Sequence, residues 1–402
     1  MLARSVERAP GDVRVLHLIH DTTVGGVEAI AAHLQAALRG PGPLAADVQY
    51  RVASLAGAPP GQEALVADVE GTSVNSPFSA LRLLREARRQ RPQVTVTSLW
   101  RVVALGPLAR RLSGGRWALW VHSSRFTNRF DRAVHLWAIP RADVVLVDSV
   151  SAYENIVRPA LARAGTSVPH VLVHPRASPI FSDDILRRAP RKGEPLRLVF
   201  WGRLATSKRL DRIVEFLGRA DALWPGGARL DLIGPDDGGL ESALALAESR
   251  GLRDRITRHG PSAREEIGAL AAAAHVFVQL SDFEGYAMSA HEALSAGMVC
   301  VLTPVGELVA DTADGVDALL VDEDTESAAE RLISLAQDTE AFEAMGSRAR
   351  SRHCASSTDM AEAFVQACRR LAGAERPGAR AAARRGPGAR RGTTARRGAS
   401  TP

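Results

Sequence analysis

Short apolar runs recur along the chain, each closed by a turn residue and followed by a longer stretch with apolar positions three and four apart. In the first half, residues 14–19, 48–55, 94–99, 117–121 and 143–149 read as strands. Helices are expected from near Val27 and over 78–90 and 102–112. In the second half, 196–201, 230–233, 256–259, 276–280 and the run from Val299 read as strands, and 358–371 as a closing helix. Strands alternating with helices imply parallel sheets, because a parallel pair needs a long crossover connection. The segment 174–195, with Pro175, Pro179, Pro190, Gly193 and Pro195, reads as a linker between two such domains. The helix over 78–90 places Phe78, Leu81 and Leu84 on one face and Arg82, Arg85 and Arg89 on another. That pattern suits a solvated basic face or a helix lying on an anionic bilayer, and both readings stay open.

A chain of 402 residues with 46% hydrophobic content has length for two cores. Cys300, Cys354 and Cys368 have neither a disulfide-framework nor a zinc spacing. Residues 1–12 are polar, and no apolar run approaches the roughly 18 residues of a spanning helix. A cytoplasmic protein is expected, with peripheral association at the inner membrane face as the further option. Charge is unevenly spread. Residues 1–190 hold 23 Lys and Arg against 15 Asp and Glu, residues 191–375 hold 20 against 30, and residues 376–402 hold 8 Arg and no acid. A cationic first half suits an anionic acceptor or a membrane surface. The Arg-rich tail, with almost no hydrophobic side chain larger than Ala, is expected to be disordered, and nucleic acid is not an expected partner.

Chemistry concentrates after the apolar run at 276–280. Glu284-Gly285-Tyr286 forms a turn before a helix carrying Glu292. Two carboxylates eight residues apart straddle that helix start, the second about two turns inside, roughly 9 Å along the axis. Between them lie unpaired backbone N–H groups and the positive end of the helix dipole, an anion site. Upstream, a strand ending in Gly202-Arg203-Leu204 is followed by Lys208, one of only two lysines, so two cations converge near one helix start. Acids flanking an anion site fit a ligand with hydroxyls at both ends and phosphate between, the layout of a nucleotide sugar.

The Glu-x7-Glu pair, the Glu-Gly-Tyr turn and Glu292-Ala293-Leu294-Ser295-Ala296-Gly297 resemble the donor-site signature of retaining family 4 glycosyltransferases (glycosyl transferases group 1), as does the Gly-Arg-Leu…Lys string. Ala287 stands where that pattern often has glycine. The resemblance implies a GT-B fold: two Rossmann-like, doubly wound α/β domains facing across a cleft. Residues 1–185 would bind the acceptor and 196–355 the donor; a helix over 356–373 would return to the first domain, and 376–402 would form the tail. It implies that Glu284 contacts the donor sugar, that Glu292 contacts the ribose, and that Arg203, Lys208 and the helix start near Gly285 and Tyr286 hold the diphosphate. The string Gly25-Gly26-Val27-Glu28 resembles the family's first glycine loop. His122, at the end of the strand over 117–121, resembles a histidine that touches the donor sugar.

The implied reaction moves a sugar from a nucleoside diphosphate to an acceptor hydroxyl with retention, through a short-lived ion pair, with no protein nucleophile and no metal or other cofactor. The partners are a nucleotide-sugar donor and an acceptor of unknown identity, anionic or membrane-associated. Two alternatives remain: a GT-B nucleotide-sugar epimerase, and a non-catalytic binder of sugar nucleotides or polyanions. Other motifs fall away. His291-Glu292 lacks the second histidine of a zinc helix, and Asp322-Glu323-Asp324 is expected to cap the next helix.

Overall fold

A computed structural model describes residues 13–23, 25–46, 48–59, 65–175, 180, 188–354 and 358–373. Half of the linker expected over 174–195, the first twelve residues and the Arg-rich tail lie outside them. Seven strands build the first sheet: β1 (Val13–Ile19), β2 (Val48–Ser54), β3 (Val69–Glu70), β4 (Val94–Ser98), β5 (Arg116–Val121), β6 (Val144–Val147) and β7 (His170–Leu172). Their order is β3-β2-β1-β4-β5-β6-β7, and every pairing is parallel. The second sheet comprises β8 (Leu196–Trp201), β10 (Ala228–Ile233), β12 (Ile256–His259), β13 (Val276–Gln279), β14 (Val299–Leu302) and β15 (Leu319–Leu320), in the order β12-β10-β8-β13-β14-β15. Two short strands, β9 (Leu204–Ala205) and β11 (Asp236–Asp237), pair beside it.

β5, β6, β13 and β14 are apolar and buried nearly throughout because helices cover both faces of their sheets, whereas β2 and β10 alternate buried with more exposed positions. In β1, Val15 and Ile19 enter the core under helix Gly26–Arg39, whereas Leu16 and Leu18 enter the opposite core with Leu83 and Leu84. Each sheet reverses its order at a central strand: β1 lies between β2 and β4, and β8 between β10 and β13. Helices leaving such neighbours go to opposite faces and open a crevice at the strands' carboxyl ends.

Three local readings need correction. The helix expected over 102–112 is two, Trp100–Val103 and Gly106–Ser113, because Pro107 has no N–H to continue the ladder to Val103. The helix Pro77–Gln90 buries Ser79, Leu83, Leu84, Glu86 and Ala87, so of the expected apolar face only Leu84 is inside. Phe78 is 80% and Leu81 42% exposed. Glu292 lies closer to its helix start than two turns, because that helix spans Met288–Ser295, as described below. Elsewhere caps fall where expected: the Asp324 carboxylate accepts from the N–H groups of Glu326 and Ser327 at the start of helix Thr325–Gln337. No helix among the described residues is long and apolar enough to cross a membrane, and the three cysteines are free.

The helix Thr358–Gly373 follows the second sheet in sequence yet packs into the first domain's core. Phe364, fully buried, stacks on Trp120 at 5.5 Å and meets Tyr50 edge-on at 5.8 Å. Phe364→Ala should therefore destabilise the N-terminal domain by about 3–5 kcal/mol. Denaturant unfolding followed by tryptophan fluorescence checks this; an unchanged midpoint would mean that the helix adds nothing to that core.

Candidate functional site

Four turns meet where the two crevices face each other: those after β1 and β5 in the first domain, and those after β8 and β13 in the second. After β13 the chain stays buried through Leu280 and Ser281, then turns at Glu284-Gly285. A Cβ on Gly285 would lie 2.6 Å from the His122 carbonyl oxygen, so only glycine lets the second domain come this close to the first. The Ser124 hydroxyl donates to the Glu284 carbonyl, and the Arg125 guanidinium lies 5.1 Å from the Phe283 ring centroid. Behind the turn, the Glu307 N–H donates to the Gly285 carbonyl at 3.0 Å, and the Glu307 carboxylate accepts from the Val150 N–H at 2.9 Å. Burial, reinforced by Asp311, pushes the Glu307 carboxyl above its ordinary range.

Glu284 and Lys208, 76 residues apart, are brought together: Lys208 Nζ lies 2.5 Å from Glu284 Oε1, with both side chains largely buried. The same oxygen accepts from Gln279 Nε2 at 3.1 Å, and Gln279 Oε1 accepts from the Ser289 hydroxyl at 2.8 Å. A carboxylate held from two sides has one orientation.

The helix after this turn starts later than its pattern predicts. Ala287 adopts a left-handed backbone (φ 62°), so the helix begins at Met288 and Glu292 is its fifth residue, little more than one turn inside, about 6 Å along the axis. Glu292 is held on both oxygens, by Trp201 Nε1 at 2.8 Å and by Arg264 at 2.7 Å. Tyr286, also in the turn, is buried and stacks on His291 at 4.0 Å. The first N–H groups of the Met288 helix have no partners within it, the usual condition of a helix start.

Arg203 does not join Lys208. Its guanidinium is mostly exposed and pairs with Asp237 at 3.0 Å, on the rim formed by β9 and β11. From there its charge reaches Glu28 in the first domain. Glu28 folds back over the glycine turn: a Cβ on Gly25 would lie 2.3 Å from its Oε2, whereas one on Gly26 would meet nothing within 4 Å. Gly25 thus makes room for a carboxyl, and Gly26 leaves backbone open to an approaching group. Burial pushes the Glu28 carboxyl up to about 7, with Asp21 adding to the shift and its own N–H and Arg203 opposing it.

His122 stands at the end of β5 with a nearly buried ring engaged on both nitrogens. Nδ1 meets Asp148 at 2.8 Å and Nε2 meets the Ser98 hydroxyl at 2.8 Å. Ser98 also meets His17 Nε2 at 2.7 Å, and His17 Nδ1 meets the Tyr50 hydroxyl at 2.7 Å. A proton arrangement that satisfies all of them has His122 donating to Asp148, Ser98 to His122, His17 to Ser98 and Tyr50 to His17. Burial pushes His17 down to about 3 and keeps it neutral. What His122 presents toward the second domain is its carbonyl, beside Gly285.

Gln279, Ser289, Trp201, Arg264, Ser98 and Asp148 were not among the candidates read from the sequence. Gln279 carried a signal, as the lone amide ending an apolar strand; Trp201 likewise ends a strand at a crevice, and Asp148 directly follows one.

Residues 182–352 match the family glycosyl transferases group 1. A GDP-mannose:cellobiosyl-diphosphopolyprenol alpha-mannosyltransferase of Xanthomonas oryzae pv. oryzae is 32% identical over 145 residues, 35% of this chain and 37% of the relative. A D-inositol 3-phosphate glycosyltransferase of Mycolicibacterium smegmatis is 34% identical over 128 residues, 31% of this chain and 29% of the relative. The chain thus spans about a third of the length of these curated relatives. Among solved structures, Anabaena HepE in complex with UDP and glucose superposes with a TM-score of 0.72 at 15% identity, over 89% of this chain and 100% of that one. A sucrose-phosphate synthase from Thermosynechococcus elongatus gives 0.71 at 17% identity, over 89% and 99%. The fold is GT-B.

Glu28 yields a pH prediction. Its folded value lies above the ordinary 4.5, so the folded chain holds the proton more tightly. The resulting stabilisation is complete below about pH 4.5 and is lost as pH rises through about 7. The native Tm should fall across that window, and Glu28→Gln should fall less. Thermal melts between about pH 5 and 8 read this; equal slopes would refute the buried, proton-holding carboxyl.

Proposed function

We propose, from the match of residues 182–352 to the glycosyl transferases group 1 family, that this protein is a glycosyltransferase that moves a sugar from a nucleoside diphosphate to an acceptor hydroxyl with retention at the anomeric carbon. The observation that carries the reading is the contact of Lys208 with Glu284, at the carboxyl ends of β8 and β13 and facing the first domain. A diphosphate lying between them would take the ammonium, and the Glu284 carboxylate would turn to hydroxyls of the sugar. As the anomeric C–O bond breaks, negative charge grows on the departing diphosphate. Lys208 released from Glu284, Arg203 released from Asp237, and the N–H groups at Gly285, Tyr286 and the Met288 helix start stabilise it. Glu292, fixed by Trp201 and Arg264, meets the ribose hydroxyls. The acceptor oxygen enters on the face the diphosphate leaves, its proton passing to a leaving oxygen, which gives retention. His122 serves the sugar through its carbonyl and through the position its anchored ring imposes on the turn, and Gly25 and Gly26 complete the opposite wall. Side-chain cations fill the place a metal would take, so the reaction should proceed without one.

The names of the relatives point to both GDP- and UDP-linked chemistry, so the base is read by experiment. Thermal unfolding against UDP-, GDP- and dTDP-sugars in EDTA should show one class stabilising the chain by roughly 2.7 kcal/mol at about 100 Kd, and Lys208→Ala should abolish the effect. Glu284→Gln should retain the fold and lower kcat about a hundredfold or more. Silence toward every nucleotide sugar would overturn the reading, and an inverted anomer in the product's proton NMR spectrum would overturn retention.

Exposed Phe78 and Leu81 beside Arg82 and Arg85 support peripheral contact with an anionic bilayer. Phe78→Ser should weaken cosedimentation with phosphatidylglycerol vesicles, and undiminished binding would remove that contact.

A further inference from the structure

Beside the Glu284 turn, on the first domain, lies an open cavity of about 840 Å³. One wall is the segment after β5 and the helix Arg129–Ala138; the other is the segment from Asn155 to Arg163 that follows β6. Arg125, Arg129, Arg132 and Arg163 line it, and no acid does. The two nearest carboxylates in sequence are engaged elsewhere: Asp131 with His135 at 2.7 Å, and Glu154 with Arg158 at 2.6 Å. Arg125 lies over Phe283 and Arg129 over Phe130, and among the described residues none of the four arginines has an ion-pair partner.

Four like charges around one concavity repel each other, and the field they focus there is relieved by an anion. Guanidinium groups present paired N–H donors in the geometry that phosphate oxygens accept, and Asn128 and Asn155 add side-chain amides. Phe126, Leu136, Ile156 and Pro159 add apolar surface to the same lining. The cavity also adjoins the donor crevice: Ser124 lines it and donates to the Glu284 carbonyl.

We infer that this cavity binds a phosphate carried by the acceptor, with the four arginines on the phosphate and the apolar lining against the uncharged part of the molecule. The acceptor's hydroxyl is thereby held toward Glu284. The inference rests on the glycosyltransferase reading above and names the acceptor class of that reaction as a phosphorylated molecule.

The test is calorimetric titration of the full chain with inorganic phosphate. Arg129→Gln/Arg132→Gln should weaken binding about tenfold or more, with the ligand-free Tm unchanged because both side chains are exposed. Lys208→Ala and the charge-matched Arg229→Gln/Arg258→Gln, on the second domain, should leave that binding intact. Three results would overturn the inference: no phosphate binding by the native chain, equal loss in the charge-matched variant, or loss confined to Lys208→Ala, which would place the phosphate in the donor crevice. Displacement of phosphate by glucose 6-phosphate would identify a soluble source. Arginine-dependent cosedimentation with phosphatidylcholine vesicles doped with a polyprenyl monophosphate would identify a lipid-borne one. Nucleotide-sugar stabilisation, measured in parallel on the same variants, reports the donor reading independently, so either can fail while the other stands.

Discussion

A missing side chain at Gly285 sets the distance between the domains. Any Cβ there would press on the His122 carbonyl, and the contacts that define the site sit on either side of that approach. Ser124 and Arg125 reach the turn from the first domain, while Glu307 braces it from behind and ties itself to the Val150 N–H. A clamped turn of this kind removes backbone freedom from Glu284 before any ligand arrives, which is the preorganisation that charge stabilisation requires.

Charge at the site is balanced locally. Burying Lys208 and Glu284 separately would leave each without compensation; facing one another, with Gln279 and Ser289 behind, each offsets the other's desolvation. Glu292 is balanced by Arg264, and Arg203 by Asp237. Glu28 differs: among the described residues it has no ion-pair partner, and burial makes it hold its proton. A diphosphate has more negative charge than any one of these carboxylates and competes for the cations, so the same pairings that steady the protein can be exchanged for ligand.

The first domain shows how remote packing reaches the cleft. Phe364, from the last helix, stacks on Trp120, whose ring lies 5.0 Å from His122 and whose indole N–H donates to Asp148. The chain of hydrogen bonds from Tyr50 to Asp148 runs through the strands at the switch point, so His122 is set by a network spanning β1, β2, β4 and β5 and the residue after β6. A buried network with every member satisfied specifies one arrangement. The helix that arrives last in sequence thus braces the residue that faces Gly285.

Local order was legible without coordinates. The strand at 196–201 appears at the boundaries its apolar run announces, because a strand buried on both faces is largely apolar. The motif around Glu284 and Glu292, and the cations at Arg203 and Lys208, were likewise visible as residue types at fixed spacing. Tertiary structure decided the partners. Nothing local links Lys208 to Glu284 or separates it from Arg203, and nothing in the pattern of 78–90 shows that Leu83, rather than Phe78, is inside, since helical phase is settled by the neighbour it packs against. Glu28 and the four arginines beside Ser124 are ordinary surface residues in one dimension. They acquire meaning only when folding strips water from the first and gathers the others around one cavity, because desolvation and charge density depend on distances through space and not along the chain.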